Sequence, residues 1–163
     1  MCRQLLAAAV FGHVATVAAA ASAQSFFDDH LSAAPCFTRS YDRDHLRAHP
    51  RQTVRQFQIA PADDDPLAGS HPKRFTIRFQ FQATGANETF TGLAECSSRS
   101  GGAFCRVEGD GGAFALAPDG QGLRVMLGDR LRVEGSAGAS PDLARGDNQV
   151  MLLRRGNVNA CAG

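Results

Sequence analysis

Residues 74–83, Arg-Phe-Thr-Ile-Arg-Phe-Gln-Phe-Gln-Ala, alternate apolar and polar side chains without a break. Successive side chains of an extended strand point to opposite sides. Phe75, Ile77, Phe79 and Phe81 therefore share one face, and Thr76, Arg78, Gln80 and Gln82 share the other. One face dry and one face wet is the pattern of an antiparallel sheet or of the wall of a small barrel. Residues 88–135 extend it as short apolar-alternating runs separated by Gly- and Asp-bearing turns.

Taken in order, strands are expected at 53–60, 74–83, 88–97, 103–109, 113–117, 123–127, 130–134 and 149–154. Reversals are expected at 84–87, at Gly101-Gly102, at Asp110-Gly111-Gly112 and at Pro118-Asp119-Gly120, with a two-residue turn at Gly128-Asp129. The segment 40–49 reads as one short helix, capped by Ser40 or Asp42 and ended by Pro50, which disfavours helical backbone at His49. The expected fold is all-β. It is an antiparallel meander of about eight strands forming a small barrel or sandwich, with one short N-terminal helix and a core of Phe, Leu and Val.

Residues 1–23 read as a secretory signal, with Arg3 ahead of an apolar run and Ala21-Ser22-Ala23 as a small-residue cleavage pattern. Its removal takes one arginine and no acid, so the formal charge falls from +1 to 0 and residues 24–163 remain as a single domain. No membrane span is expected after cleavage, and the location is periplasmic or secreted. A neutral chain without a long basic stripe does not suit general nucleic-acid binding.

The mature chain keeps Cys36, Cys96, Cys105 and Cys161. An even count in an exported protein implies two disulfides. Cys96 and Cys105 flank a segment that Gly101-Gly102 can reverse, and Cys36 and Cys161 lie near the two ends. Cys96–Cys105 and Cys36–Cys161 are the expected pairs. A zinc-thiolate set lacks the usual C-x2-C spacing.

His45-Leu46, His49-Pro50-x-Gln52-x-Val54, Glu95-Cys96, Cys105-x-Val107-Glu108, Gly146-Asp147-Asn148, Leu153-x-Arg155 and the terminal Cys161 resemble a family of small exported proteobacterial proteins with no known activity. The resemblance spans most of the mature chain and implies export and a β-rich domain. Members carry a further cysteine where this chain has Gly109, which implies a smaller disulfide set here.

His45 and His49, four residues apart on the expected helix, can both face one metal ion, with Asp42 or Asp44 supplying an oxygen. The same spacing equally suits two surface histidines flanking a Leu46 anchor, and there is no H-E-x-x-H. Arg39, Arg43 and Arg47 recur every four residues, a cationic stripe that suits an anion, although Asp42 and Asp44 offset part of it. Asp63-Asp64-Asp65 lacks the alternating ligands of a calcium loop. Asp110-Gly111-Gly112 suits a tight hairpin reversal, and a catalytic role for Asp110 has no support in the sequence. Glu88, Glu95, Glu108 and Glu134 fall on expected strands with no sign of convergence as an acid/base pair. No nucleophile motif, phosphate-cradling glycine loop or cofactor signature is present.

The leading reading is a non-enzymatic exported β-barrel binding module, whose interior takes a small apolar ligand or whose surface docks an envelope protein. The alternatives are a small metal-dependent hydrolase using His45 and His49, and an inhibitor of an envelope-attacking enzyme that inserts the loop 97–102 into its target. No cofactor is expected.

Overall fold

The computed structural model describes residues 26–32, 34, 36–63, 71 and 73–161, so the expected signal at 1–23 lies outside the described residues. Eight antiparallel strands close into a barrel. In chain order they are β1 (Phe37–Ser40), β2 (Val54–Pro61), β3 (Arg74–Ala83), β4 (Thr89–Arg99), β5 (Gly102–Val107), β6 (Gly112–Asp119), β7 (Gly122–Leu131) and, after a two-stranded hairpin of β8 (Glu134–Gly135) with β9 (Gly138–Ala139), β10 (Val150–Arg155). Each barrel strand pairs with its neighbour in the chain, and β10 closes the circle between β7 and β1. Helix α1 (Arg43–Ala48) connects β1 to β2, and α2 (Val158–Cys161) follows β10.

The alternation read at 74–83 is β3 itself, pairing with β2 and β4 along its length. Two expectations are corrected. Phe37–Ser40 is a strand that sequence reading left outside the sheet, because four residues are too few to establish a period. Gly128-Asp129 is not a reversal: β7 runs through both residues, and Gly128 is not among the glycines with positive φ. A register shift opposite, between Gly112 and Phe114, lets β7 continue to a fully buried Leu131 on the same face as Leu123 and Val125. The expected count of about eight thus arises from different strands.

The barrel interior is occupied by large side chains. Phe37, Phe57, Phe79, Phe81 and Phe114 are fully buried there with Ile59, Ile77, Leu116, Leu123 and Leu131. Phe79 stacks on Phe57 at 6.1 Å and meets Phe114 edge-on at 5.6 Å between ring centroids. Gly92 makes room for it, since a Cβ there would lie 2.5 Å from the Phe79 ring. The Cys96–Cys105 disulfide joins directly paired residues of β4 and β5, and both cysteines are fully buried.

Both ends of the barrel are covered. A π-helical turn, Phe27–Leu31, packs Leu31 into the core, and Phe26 and Phe27 lie against Phe75. At the opposite end Asn148, fully buried in a 3-10 turn (Gly146–Asn148), accepts hydrogen bonds from the Thr53 and Val54 backbone N–H groups. Its amide donates to Thr53 Oγ1 and to the Arg145 carbonyl. The start of β2 is thereby tied to the chain just before β10. Where β10 meets β1, the Cys36–Cys161 disulfide staples the seam. Gly156 passes so close that a Cβ there would fall 2.6 Å from Cys36 Sγ.

Candidate binding surface

Residues paired directly across an antiparallel ladder share a face, so the register identifies what the barrel presents to solvent. On β2, β3 and β4 two outward rows are polar: Gln56, Gln82 and Thr89 form one, and Gln58, Gln80 and Thr91 the next, with Gln58 itself buried and donating to the Cys161 carbonyl. A third row, Ala60, Arg78 and Leu93, is mixed, and Leu93 is 38% exposed. Gln82 donates to Thr89 Oγ1 at 3.1 Å and accepts from Arg55 at 2.9 Å, and Arg74 pairs with Glu95 at 2.9 Å. The opposite wall differs. Phe104 of β5, Ala115 of β6, Met126 of β7 and Val150 of β10 form one continuous outward row. A flanking row runs Ala117, Arg124, Leu152, and Arg106 faces Ala113 on the other side. Val150 is 54% and Leu152 46% exposed. Water meets hydrocarbon over four adjacent strands.

Arginines border this wall. The Arg99 and Arg106 guanidinium groups lie 4.8 Å and 5.8 Å from the centre of the Phe104 ring. Beside Leu152 a groove of ≈ 410 Å³ is lined by Arg39, Arg154 and Arg155, with Asp119 as its one acid. Asp119 already pairs with Arg124 at 2.9 Å. Among the described residues no ion pair engages Arg39, Arg99, Arg106, Arg154 or Arg155.

Two other grooves, each of ≈ 420 Å³, open elsewhere. One, at the β5–β6 turn, is lined by Thr91, Leu93, Glu108, Asp110, Arg130 and Glu134 among others. It brings three of the acids noted in the sequence to one place, with Asp110 paired to Arg130 at 3.2 Å. Glu108, Asp110 and Glu134 are all exposed, a poor setting for a proton-transferring pair. Glu88 is held below the usual carboxylate range by hydrogen bonds from the Ser136 hydroxyl and N–H, at 2.7 and 2.9 Å. That contact anchors the β8–β9 hairpin against the start of β4. The second groove lies between Phe26, His30, Lys73 and Pro118 and adjoins 97–102, which is not the expected loop: β4 runs to Arg99 and β5 starts at Gly102, leaving Ser100-Gly101 as the turn.

His45 and His49 do come together, their rings stacked at 4.4 Å, and Tyr41 stacks on His45 at 4.8 Å. Burial pushes the Tyr41 hydroxyl pKa up, and the neighbouring Arg39 guanidinium partly offsets this. The two candidate oxygen donors are engaged. Asp42 caps α1 by accepting from the His45 N–H at 2.7 Å, and Asp44 is ion-paired to Arg47. Among the described residues no group of three or more His, Cys, Asp or Glu side chains could hold a metal ion. The arginine stripe divides: Arg43 and Arg47 stay on α1 with Asp44, whereas Arg39 joins Arg154 and Arg155. Asp63 pairs with Arg78 at 2.8 Å, and Asp64 and Asp65 lie outside the described residues.

Sequence reading missed the apolar wall. A signal was present in Val150-Met151-Leu152-Leu153, which is apolar on both faces where β3 is apolar on one. Ala113, Ala115 and Ala117 carry the same signal between the buried Phe114 and Leu116. The two disulfides fit an oxidising compartment, and among the described residues no helix is long and apolar enough to cross a membrane. Set against protein-family models, curated proteins and solved structures, the chain matches none of them.

Proposed function

We propose that this protein is an exported, non-enzymatic binding module that docks an envelope protein on the outside of its barrel. The observation that carries the reading is the packed interior. A small apolar ligand takes a cavity of about 300 Å³ or more. Here five fully buried phenylalanines and a disulfide occupy the space inside the strands. The contrast between the two walls then points to β5, β6, β7 and β10, since contiguous exposed apolar surface on a folded domain commonly marks an interaction site. The resemblance to small exported proteobacterial proteins supports the compartment.

The test is photo-cross-linking in native cells that export the full chain. p-Benzoylphenylalanine replaces Val150 on the apolar wall in one strain and Thr91 on the polar wall in another. A defined protein adduct from position 150, with little or none from position 91, is the expected result. Equal labelling from both walls, or no adduct from either, refutes the reading.

A further inference from the structure

The apolar wall and the arginine groove beside it are continuous through Leu152, which belongs to both. Resting on the surface-binding reading above, we infer that the partner is a protein presenting an apolar centre flanked by carboxylates. Its Asp or Glu side chains enter the groove of Arg39, Arg154 and Arg155. Arginine offers a planar fork of donors that meets a carboxylate with two parallel hydrogen bonds. Arg39, lying over the Tyr41 ring at 5.0 Å, Arg154 and Arg155 have no ion pair of their own among the described residues. Phe104 lies between Arg99 and Arg106, which extends the same pattern to the far border of the wall.

Two other occupants fit this surface less well. A second copy packed symmetrically through this wall brings like arginine borders together without acids to meet them. An anionic lipid surface attracts the same arginines, but interfaces with lipid are commonly anchored by Trp and Tyr as well. The chain has no Trp, and its one Tyr, Tyr41, stacks against α1 instead. Phe104 is half-buried between its arginines. An acidic protein surface satisfies both the hydrocarbon and the charge.

The experiment places p-benzoylphenylalanine at position 152 of the exported full chain, with or without the Arg154→Glu/Arg155→Glu pair. Both arginines are exposed, and an unchanged melting temperature confirms that the pair folds. The expected result is a protein adduct whose labelled peptide carries Asp or Glu next to apolar residues. Its yield falls at least about fivefold in the charge-reversed chain and in about 0.5 M salt. An undiminished yield, an adduct of two copies of this chain, a lipid adduct, or no adduct overturns the inference. The position-150 probe separates the two ideas. If its protein adduct persists while the arginine reversal has no effect, the docking wall stands and the acidic partner falls.

Discussion

The densest local constraint sits in Gly146-Asp147-Asn148. Gly146 adopts φ +77°, and a Cβ there would lie 2.2 Å from the Arg51 carbonyl oxygen. The Asp147 N–H donates to that same carbonyl at 3.2 Å, and the Asp147 carboxylate pairs with the Arg51 side chain at 2.8 Å. Asn148 then satisfies two N–H groups at the entry to β2. The Gln52 side chain, itself buried, donates to the Val54 carbonyl at 3.2 Å. The His49-Pro50-x-Gln52-x-Val54 and Gly146-Asp147-Asn148 motifs therefore meet at one junction and hold an end of the barrel shut. Gly85 is the natural control: its φ is +81°, yet nothing lies within 4 Å of its missing Cβ. Gly85→Ala should cost about 1 kcal/mol, the backbone penalty alone. Gly146→Ala should cost about 3 kcal/mol or more, because steric overlap adds to the same penalty. Urea denaturation of the two variants measures the difference, and equal losses would mean that the Arg51 contact gives way freely.

At the scale of elements the two disulfides do different work. Cys36–Cys161 closes a loop with a sequence separation of 125 across the β1–β10 seam, and Cys96–Cys105 spans a separation of 9 inside the barrel. Chain entropy assigns about 5 kcal/mol to the long loop and about 3 kcal/mol to the short one. The short bridge also fills core, so its removal adds a packing loss that loop length does not express. Access separates them further. Cys161, on a four-residue helix, is half-buried although its partner Cys36 is fully buried, whereas both Cys96 and Cys105 are sealed between the strands and the core. Under native conditions dithiothreitol should open Cys36–Cys161 first and leave Cys96–Cys105 intact until the barrel unfolds. Timed alkylation with peptide mapping reads the order. Early label on Cys96 or Cys105 would contradict it. The course of β7 belongs to this scale as well. Gly-Asp is sound turn chemistry by local rules, but a strand that continues buries Leu131 and pairs it with Gly112. Gly112, at φ +98°, lies so near the Arg130 carbonyl that a Cβ would approach it to 2.0 Å.

For the whole molecule, the interior and the exterior lead to opposite expectations for apolar compounds. A carrier with a vacant interior gains about 2.7 kcal/mol at a ligand concentration one hundred times its Kd, a rise of several degrees in Tm. A barrel filled by Phe57, Phe79, Phe81 and Phe114 has no such state to stabilise. Thermal unfolding with and without about 100 µM laurate should give the same Tm within about 1 °C. A clear rise would return the small-ligand reading to the interior. The outward faces were less legible than the inward ones. Alternation in β3 reports that one face is buried, but an exposed apolar face on β10 looks in sequence like a second buried one.

The sequence by itself determined the all-β class, the position of β3 to within a residue, a cap for α1 at Ser40 or Asp42, and the turns at Gly85, Gly101 and Gly120. These follow from side-chain period and local backbone chemistry, which act over a few residues. Only the tertiary structure decided that the sheet closes as a barrel rather than splitting into a sandwich. Closure depends on β1 meeting β10, two segments more than a hundred residues apart, one of them only four residues long. The same holds for the outward apolar row and for the meeting of Arg39 with Arg154 and Arg155. Such neighbours are set by register around the whole circle of strands, and no local pattern encodes that register.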